Sequence, residues 1–207
     1  MATLSELQTQ VSRDLRDASN NVWSSAETQD LINAGIDKIG DLAPREIVTY
    51  STTVSSGVSS YALPTTLSRV YRIDIYSSSD SYLSTYLPSS GDGAATGWEV
   101  HDSIIFLSPL HIPTASSKLR IFGYGIFTQL SASSSTTDLD QRRIWALRSF
   151  CKAEALYALL FDRAKFQQWQ TDQTNTDVSL LQLAQMANLA RGTWAREERR
   201  LRTLRKL

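Results

Sequence analysis

The sequence predicts an α+β fold: a helical bundle built from an N-terminal helix pair and two long C-terminal helices, with a small antiparallel β-sheet or sandwich inserted between them. Three observations predict it. Apolar residues recur at spacings of three and four over Leu4–Leu15, over Leu31–Leu42 and again beyond Asp138, the pattern of amphipathic helices. Between these regions, from Ile47 to Thr128, the period falls to two and turn residues separate the runs, as in strands. A chain of 207 residues is long enough to bury one core and carry an insertion. The division is 1–44 for the helix pair, 45–129 for the inserted β portion, 130–194 for the C-terminal helices and 195–207 for a basic tail.

Leu4, Leu7, Val11 and Leu15 define a short first helix, ended by the turn cluster Ala18-Ser19-Asn20-Asn21. Ser24 with Glu27 three residues on matches the capping box that satisfies free amides at a helix start, and Trp23 just before it is placed to pack back on the first turn. The second helix carries Leu31, Ile32, Ile36, Ile39 and Leu42, and Pro44 stops it. Ile47, Thr49 and Ser51 then alternate with Val48, Tyr50 and Thr52, and after Ser56-Gly57 an extended run resumes at Val58–Pro64, so the two runs read as a hairpin. Leu67–Tyr76 alternates as a strand. The Ser-, Gly- and Asp-rich stretch Ser77–Gly97 holds a short strand near Tyr82–Leu87 and reads as an exposed hairpin or loop. Trp98–Val100, a turn at His101-Asp102 and Ser103–Leu107 form another hairpin ended by Pro109, and Leu119–Thr128 is the last strand. Leu130–Thr137 reads as a flexible polar connection.

The longest run of one period is Asp138–Trp169, the helix around which the rest is expected to pack. Ile144, Leu147, Cys151, Ala155, Ala158 and Phe161/Asp162 form one row and Phe150, Leu156, Leu159 and Leu160 a second, with Thr137 and Asp138 as N-cap candidates. After a turn, a final helix begins at Val178 and keeps an apolar face to Trp194. Beyond it only Leu201, Leu204 and Leu207 interrupt the charge, so the tail is expected to bury little and to fray.

Lys plus Arg and Asp plus Glu both number 21, so no global field draws in nucleic acid or an anionic membrane. Charge is nevertheless uneven: residues 191–207 hold seven basic side chains against Glu197 and Glu198, a net of +5. The single cysteine, Cys151, excludes an intramolecular disulfide and reads as a buried structural thiol. The N-terminus lacks the basic start and apolar core of a signal peptide, and no run approaches the ~20 apolar residues of a membrane span, so a soluble intracellular protein is expected. Gly91, Gly93 and Gly97 form no phosphate loop, His101 and His111 have no ligand spacing, and Asp138 with Asp140 reads as helix capping. No catalytic, cofactor-binding or metal-binding residue is expected, and the chain does not read as an enzyme. Three readings of the basic tail stay open: a solvated helix end, a nucleic-acid contact with Trp194 for stacking, and a docking peptide in which Trp194, Leu201, Leu204 and Leu207 alternate with arginine.

The order of parts carries a resemblance. A short helix, then W-S-x-x-E-T-x-x-L-I-N-A-G-I at Trp23–Ile36, then Y-A-L-P-x-x-L-x-R-V-x-x-I at Tyr61–Ile73, then a sheet and two long helices with an Arg-rich end, resembles the head-to-tail adaptor (connector or neck) proteins of tailed bacteriophages. The resemblance implies a virion structural protein that self-associates into a ring, dodecameric, beneath the portal protein. Such a ring extends the DNA channel, passes genomic DNA without sequence-specific contact and gives the next neck or tail component a platform. It is assembled in the host cytoplasm, resides in the virion neck and has no membrane partner. By the same resemblance the C-terminal segment docks into the portal through Trp194, Arg196, Arg199, Arg200, Leu201, Arg202, Leu204 and Arg205. The loops Ser77–Gly97 and Ser108–Ser117 would face a neighbouring subunit or the distal tail. The alternatives are a stopper or tail-terminator, with Ser77–Gly97 as the closing loop, and a small DNA-binding or packaging accessory protein that uses the basic tail.

Overall fold

The computed structural model describes residues 2–86, 88, 97–108, 114–171 and 175–204, with 46–49 and 204 described by their backbone alone. The fold is α+β. Among the described residues, two helices, α1 (Leu4–Asp14) and α2 (Ser25–Leu42), precede seven strands: β1 (Arg45–Thr53), β2 (Ser60–Ala62), β3 (Leu67–Tyr76), β4 (Tyr82–Tyr86), β5 (Trp98–His101), β6 (Ile104–Leu107) and β7 (Lys118–Gly125). The helices α3 (Gln141–Leu159), α4 (Arg163–Gln170) and α5 (Leu180–Leu204) follow. Contacts divide the chain into a helical unit, Met1–Pro44 with Phe127–Leu207, and a β unit, Arg45–Ile126.

In the helical unit, local chemistry sets the helix starts. Thr3 and Glu6 exchange side-chain-to-backbone bonds of 3.2 and 2.9 Å at the start of α1, and Ser24 and Glu27 do the same for α2. Between them Asp17, 1% exposed, accepts the backbone N–H groups of Asn21, Val22 and Trp23 and so fixes the turn. Lys165 donates to Glu27. That bond, joined by those from Ser24, holds the Glu27 carboxyl at about 2. A depressed carboxyl stabilises the fold above its ordinary value of 4.5 and loses that contribution as pH falls toward 2. Because the side chain is 46% exposed, the contribution is at most about 1 kcal/mol. Glu27→Gln is expected to flatten the acid limb of the unit's melting midpoint against pH, read by far-UV circular dichroism.

Helix α3 packs against α1, α2 and α5. Its close approach to α2 depends on Gly35, where a Cβ would lie 2.5 Å from Leu147 Cδ1 and 2.9 Å from Phe150 Cδ1. Three sequence expectations change here. The cap of α3 is not Thr137 or Asp138 but Asp140, which the sequence also marks as a capping residue; its carboxylate accepts the Arg143 N–H at 2.8 Å, while Thr137 is buried and its hydroxyl is committed to the Leu139 N–H. The long run does not continue to Trp169. It breaks after Leu160, and Asp162 caps α4. The break leaves Phe161 75% exposed and brings Trp169 into the core, where its Nε1 donates to the Leu15 carbonyl at 2.9 Å. The two long C-terminal helices are therefore α3 and α5, joined through the short α4. Third, Leu130–Thr137 is held in place rather than being a flexible connection. Leu130 is 1% exposed, and the Asn33 side-chain amide bonds both its N–H (3.0 Å) and its carbonyl (3.1 Å). Ser133 and Ser135 carbonyls receive the first amides of α1, which would otherwise lack partners.

In the β unit, two antiparallel sheets, ordered β1-β7-β3-β4 and β2-β6-β5, share one core. Leu67, Ile73, Leu119 and Ile121 come from the first sheet, and Trp98, Ile105 and Leu107 from the second. The hairpin expected from the runs around Tyr50 and Tyr61 does not form. Val54, 2% exposed and bonded through its N–H to the Ser117 carbonyl at 2.7 Å, carries the chain from one sheet to the other, so β1 pairs with β7 and β2 with β6. The β5–β6 hairpin forms, with its turn one residue later than expected. Asp102 and Ser103 both adopt positive φ, the mirror-type turn that suits strand twist. Of the loops 77–97 and 108–117, residues 87, 89–96 and 109–113 lie outside the described residues.

Strand β3 buries Leu67, Val70 and Ile73, a spacing of three. Register shifts against β7 between Leu67 and Arg69 and between Val70 and Arg72 explain it, because each extra residue flips the face that follows. Between the two shifts Val70 pairs with Gly123, where a Cβ would meet the Arg69 carbonyl oxygen at 2.5 Å. Gly123→Ala is expected to destabilise the β unit by about 1–3 kcal/mol, measured by denaturant unfolding.

Candidate functional site

The conspicuous surface of the helical unit is formed by the end of α1, the first half of α3, and α5. Helix α5 opens with Ser179 and Gln182, which bond each other's backbone amides, and runs unbroken to Leu204. Of the tail expected to fray, residues 195–204 are thus the last ten residues of a packed helix. Trp194 is 8% exposed and stands edge-on to Phe150 with ring centres 5.2 Å apart, and Leu201 is 2% exposed. Both lie in the unit's own core, on the face that also buries Leu183 and Ala187.

The arginines expected to dock separate from these two. Arg196, Arg199, Arg200 and Arg202 are exposed. Arg199 Nε donates to the Ala195 carbonyl at 3.2 Å, Arg202 pairs with Glu198 at 2.7 Å, and Arg200 lies 3.6 Å from Glu197. Arg191 stacks on the Tyr157 ring, 3.2 Å from its centre. Leu204 ends α5; its side chain and Arg205 lie outside the described residues.

A groove of about 390 Å³ runs between Arg16, Trp145, Lys152 and Leu189. Asp14 and Arg148 form its inner wall through two bonds of 2.8 Å. The bonded carboxylate holds the Arg148 guanidinium above its ordinary value, and the same guanidinium lies 5.2 Å over the Trp145 ring. With that pair neutralised, Arg16 and Lys152 leave the rim basic. Trp145 is 59% and Leu189 72% exposed, large apolar areas for a surface position. Sequence reasoning missed this groove. The available signal was Trp145, a tryptophan outside both apolar rows of its helix.

The other candidates have structural places. Burial pushes the Cys151 thiol far up, with its sulfur 3.7 Å from the Leu31 carbonyl. His101 is exposed in β5, 2.9 Å from Glu99. Burial raises the Asp140 carboxyl, but the Arg143 and Arg142 amides and the Arg143 guanidinium outweigh it and hold it below its ordinary range. His111, Gly91 and Gly93 lie outside the described residues. Among the described residues, no group of three or more His, Cys, Asp or Glu side chains is placed to hold a metal ion, and no helix is long and apolar enough to cross a membrane.

The helical unit thus turns a basic groove with one exposed tryptophan, and a row of arginines, to solvent. The match to known families is more specific. The chain belongs to the SU10 adaptor protein family, whose model matches residues 2–205, and it is accordingly a phage adaptor protein. No curated protein matches it.

Proposed function

We propose that the chain is a head-to-tail adaptor: a subunit of a ring seated beneath the portal that extends the DNA channel and offers the tail its attachment platform. The observation that carries this reading is the family match over nearly the whole chain. The arrangement of α5 supports it. Its buried face anchors the helix to the unit, and its arginines stay in water on the other faces. Arg199 and Arg202, one turn apart, face away from the groove and are the proposed portal contacts. Trp194 and Leu201 hold that helix in place instead of docking. Arginine suits such contacts because its flat guanidinium pairs with carboxylates in a fixed geometry. Near-zero net charge is compatible with DNA that slides past without being held.

The test is the native mass of the purified chain mixed with its cognate portal ring, beside Arg199→Ala/Arg202→Ala. The parent is expected to join the portal in ring stoichiometry and the double variant to be lost from it. Equal loading of both would overturn the docking assignment. If the parent fails to join and instead binds duplex DNA with strong salt dependence, the chain is an accessory DNA-binding protein.

A further inference from the structure

Two exposed stripes of the helical unit match in spacing and oppose in charge. On α2, Asp30, Ala34, Asp37 and Asp41 recur at i, i+4, i+7 and i+11 and all face solvent, while Ile32, Ile36 and Ile39 on the other side are fully buried. On α5, Leu189, Thr193, Arg196 and Arg200 repeat the same spacing, also exposed. This second stripe continues the groove, since Leu189 and Thr193 line it beside Trp145 and Lys152. Helix α3 packs against both helices, which also touch each other; it meets α2 with Leu147 and Phe150 at Gly35 and lines the groove with Trp145, Arg148 and Lys152 on another side, so the stripes occupy different faces of one unit.

Complementary patches on different faces of one chain make a head-to-tail contact, which closes into a ring when the rotation per copy divides a full turn. The groove side has the composition of an interface core, an exposed tryptophan and leucine rimmed by cations. The acidic side supplies the opposite charge, with Ala34 leaving room for a ring to lie against it.

We propose that the partner in this groove is a second copy of the chain, whose α2 stripe lies along Trp145, Leu189, Arg196 and Arg200 of its neighbour. This rests on the ring reading above and assigns its subunit contact. It also divides the arginines of α5 between two surfaces, with Arg196 and Arg200 facing the neighbouring copy and Arg199 and Arg202 facing the portal.

Charge exchange tests it. Arg196→Glu/Arg200→Glu reverses one face, and Asp30→Arg/Asp41→Arg reverses the other; Asp37 is left alone because its carboxylate holds Gln129. Native mass is recorded for the parent, for each variant and for their equimolar mixture, at rising concentration and with the portal ring. Each variant alone is expected to associate about 100-fold more weakly than the parent. The mixture is expected to reassemble with the two variants alternating, which also shows that both are folded. Assembly of either variant as strong as the parent's, or monomeric variants that fail to reassemble when mixed, overturns this contact while the ring stands. A parent that self-associates in neither setting overturns the ring reading itself.

Discussion

Truncating the chain after Thr193 is expected to unfold or severely destabilise the helical unit. The charge of residues 195–207 suggests a removable tail, but Trp194 and Leu201 are 8% and 2% exposed and belong to the main apolar cluster. Removing a buried tryptophan costs about 3–5 kcal/mol and a buried leucine about 2–5. Together that is a large share of the ~5–15 kcal/mol by which a domain is usually stable. At roughly 3–5 °C per kcal/mol for a unit of this size, the melting midpoint should fall by well over about 10 °C. In the full-length chain Trp194→Phe should cost only part of that loss, because the edge-on contact with Phe150 is partly kept. Far-UV circular dichroism reads both results. An unchanged midpoint after truncation would mean that residues 194–204 are not packed on the core. The consequence for the proposed portal contact is practical: loss of binding on truncation would report unfolding, whereas Arg199→Ala/Arg202→Ala removes only exposed groups.

The same helix shows what was legible in the sequence. Trp194 and Leu201 are seven residues, two helical turns, apart and so share a face, but six basic residues around Leu201 hide that link from a reading by composition. Features held within a few residues were legible. The capping box of Ser24 and Glu27 is one, and the exposed arginines of α5 are another. Features that depend on distant partners were not. Nothing near Arg45 announces that β1 pairs with a strand ending at Gly125. Leu130–Thr137 has the composition of a linker because the groups that fix it belong to Asn33 and α1. The bulges of β3 break the two-residue alternation that a strand reading relies on. The groove was invisible for the same reason, since Arg16, Trp145, Lys152 and Leu189 come from separate parts of the chain and meet only through packing.

In the β unit the largest expected effect is that of Arg72→Ala, and its sign depends on pH. Asp74 has a fully buried side chain on β3. The Arg72 guanidinium donates to its two oxygens at 2.8 and 2.6 Å, and the Thr85 hydroxyl donates at 2.6 Å. Burial alone pushes the Asp74 carboxyl up, but Arg72 and Thr85, with help from the Arg120 charge, outweigh it and hold the carboxyl below its ordinary value. A depressed carboxyl contributes stability that is present above its ordinary value and lost as pH falls through the depressed one. Deleting Arg72 leaves burial as the dominant influence, so the carboxyl should rise above its ordinary range. Removing one partner of a buried pair costs about 3–5 kcal/mol. Because Arg72 is 50% exposed and water can replace part of it, the loss at neutral pH is expected to be smaller than that. As pH falls, the parent should lose stability in this unit while Arg72→Ala gains it back, because protonation removes the buried uncompensated charge. Asp74→Asn should be nearly independent of pH in this range. Hydrogen exchange at the β3 and β7 amides reads these changes without interference from the helical signal. If Arg72→Ala loses protection on acidification as steeply as the parent, Arg72 is not the group that keeps Asp74 ionised, and the Thr85 hydroxyl must carry that role.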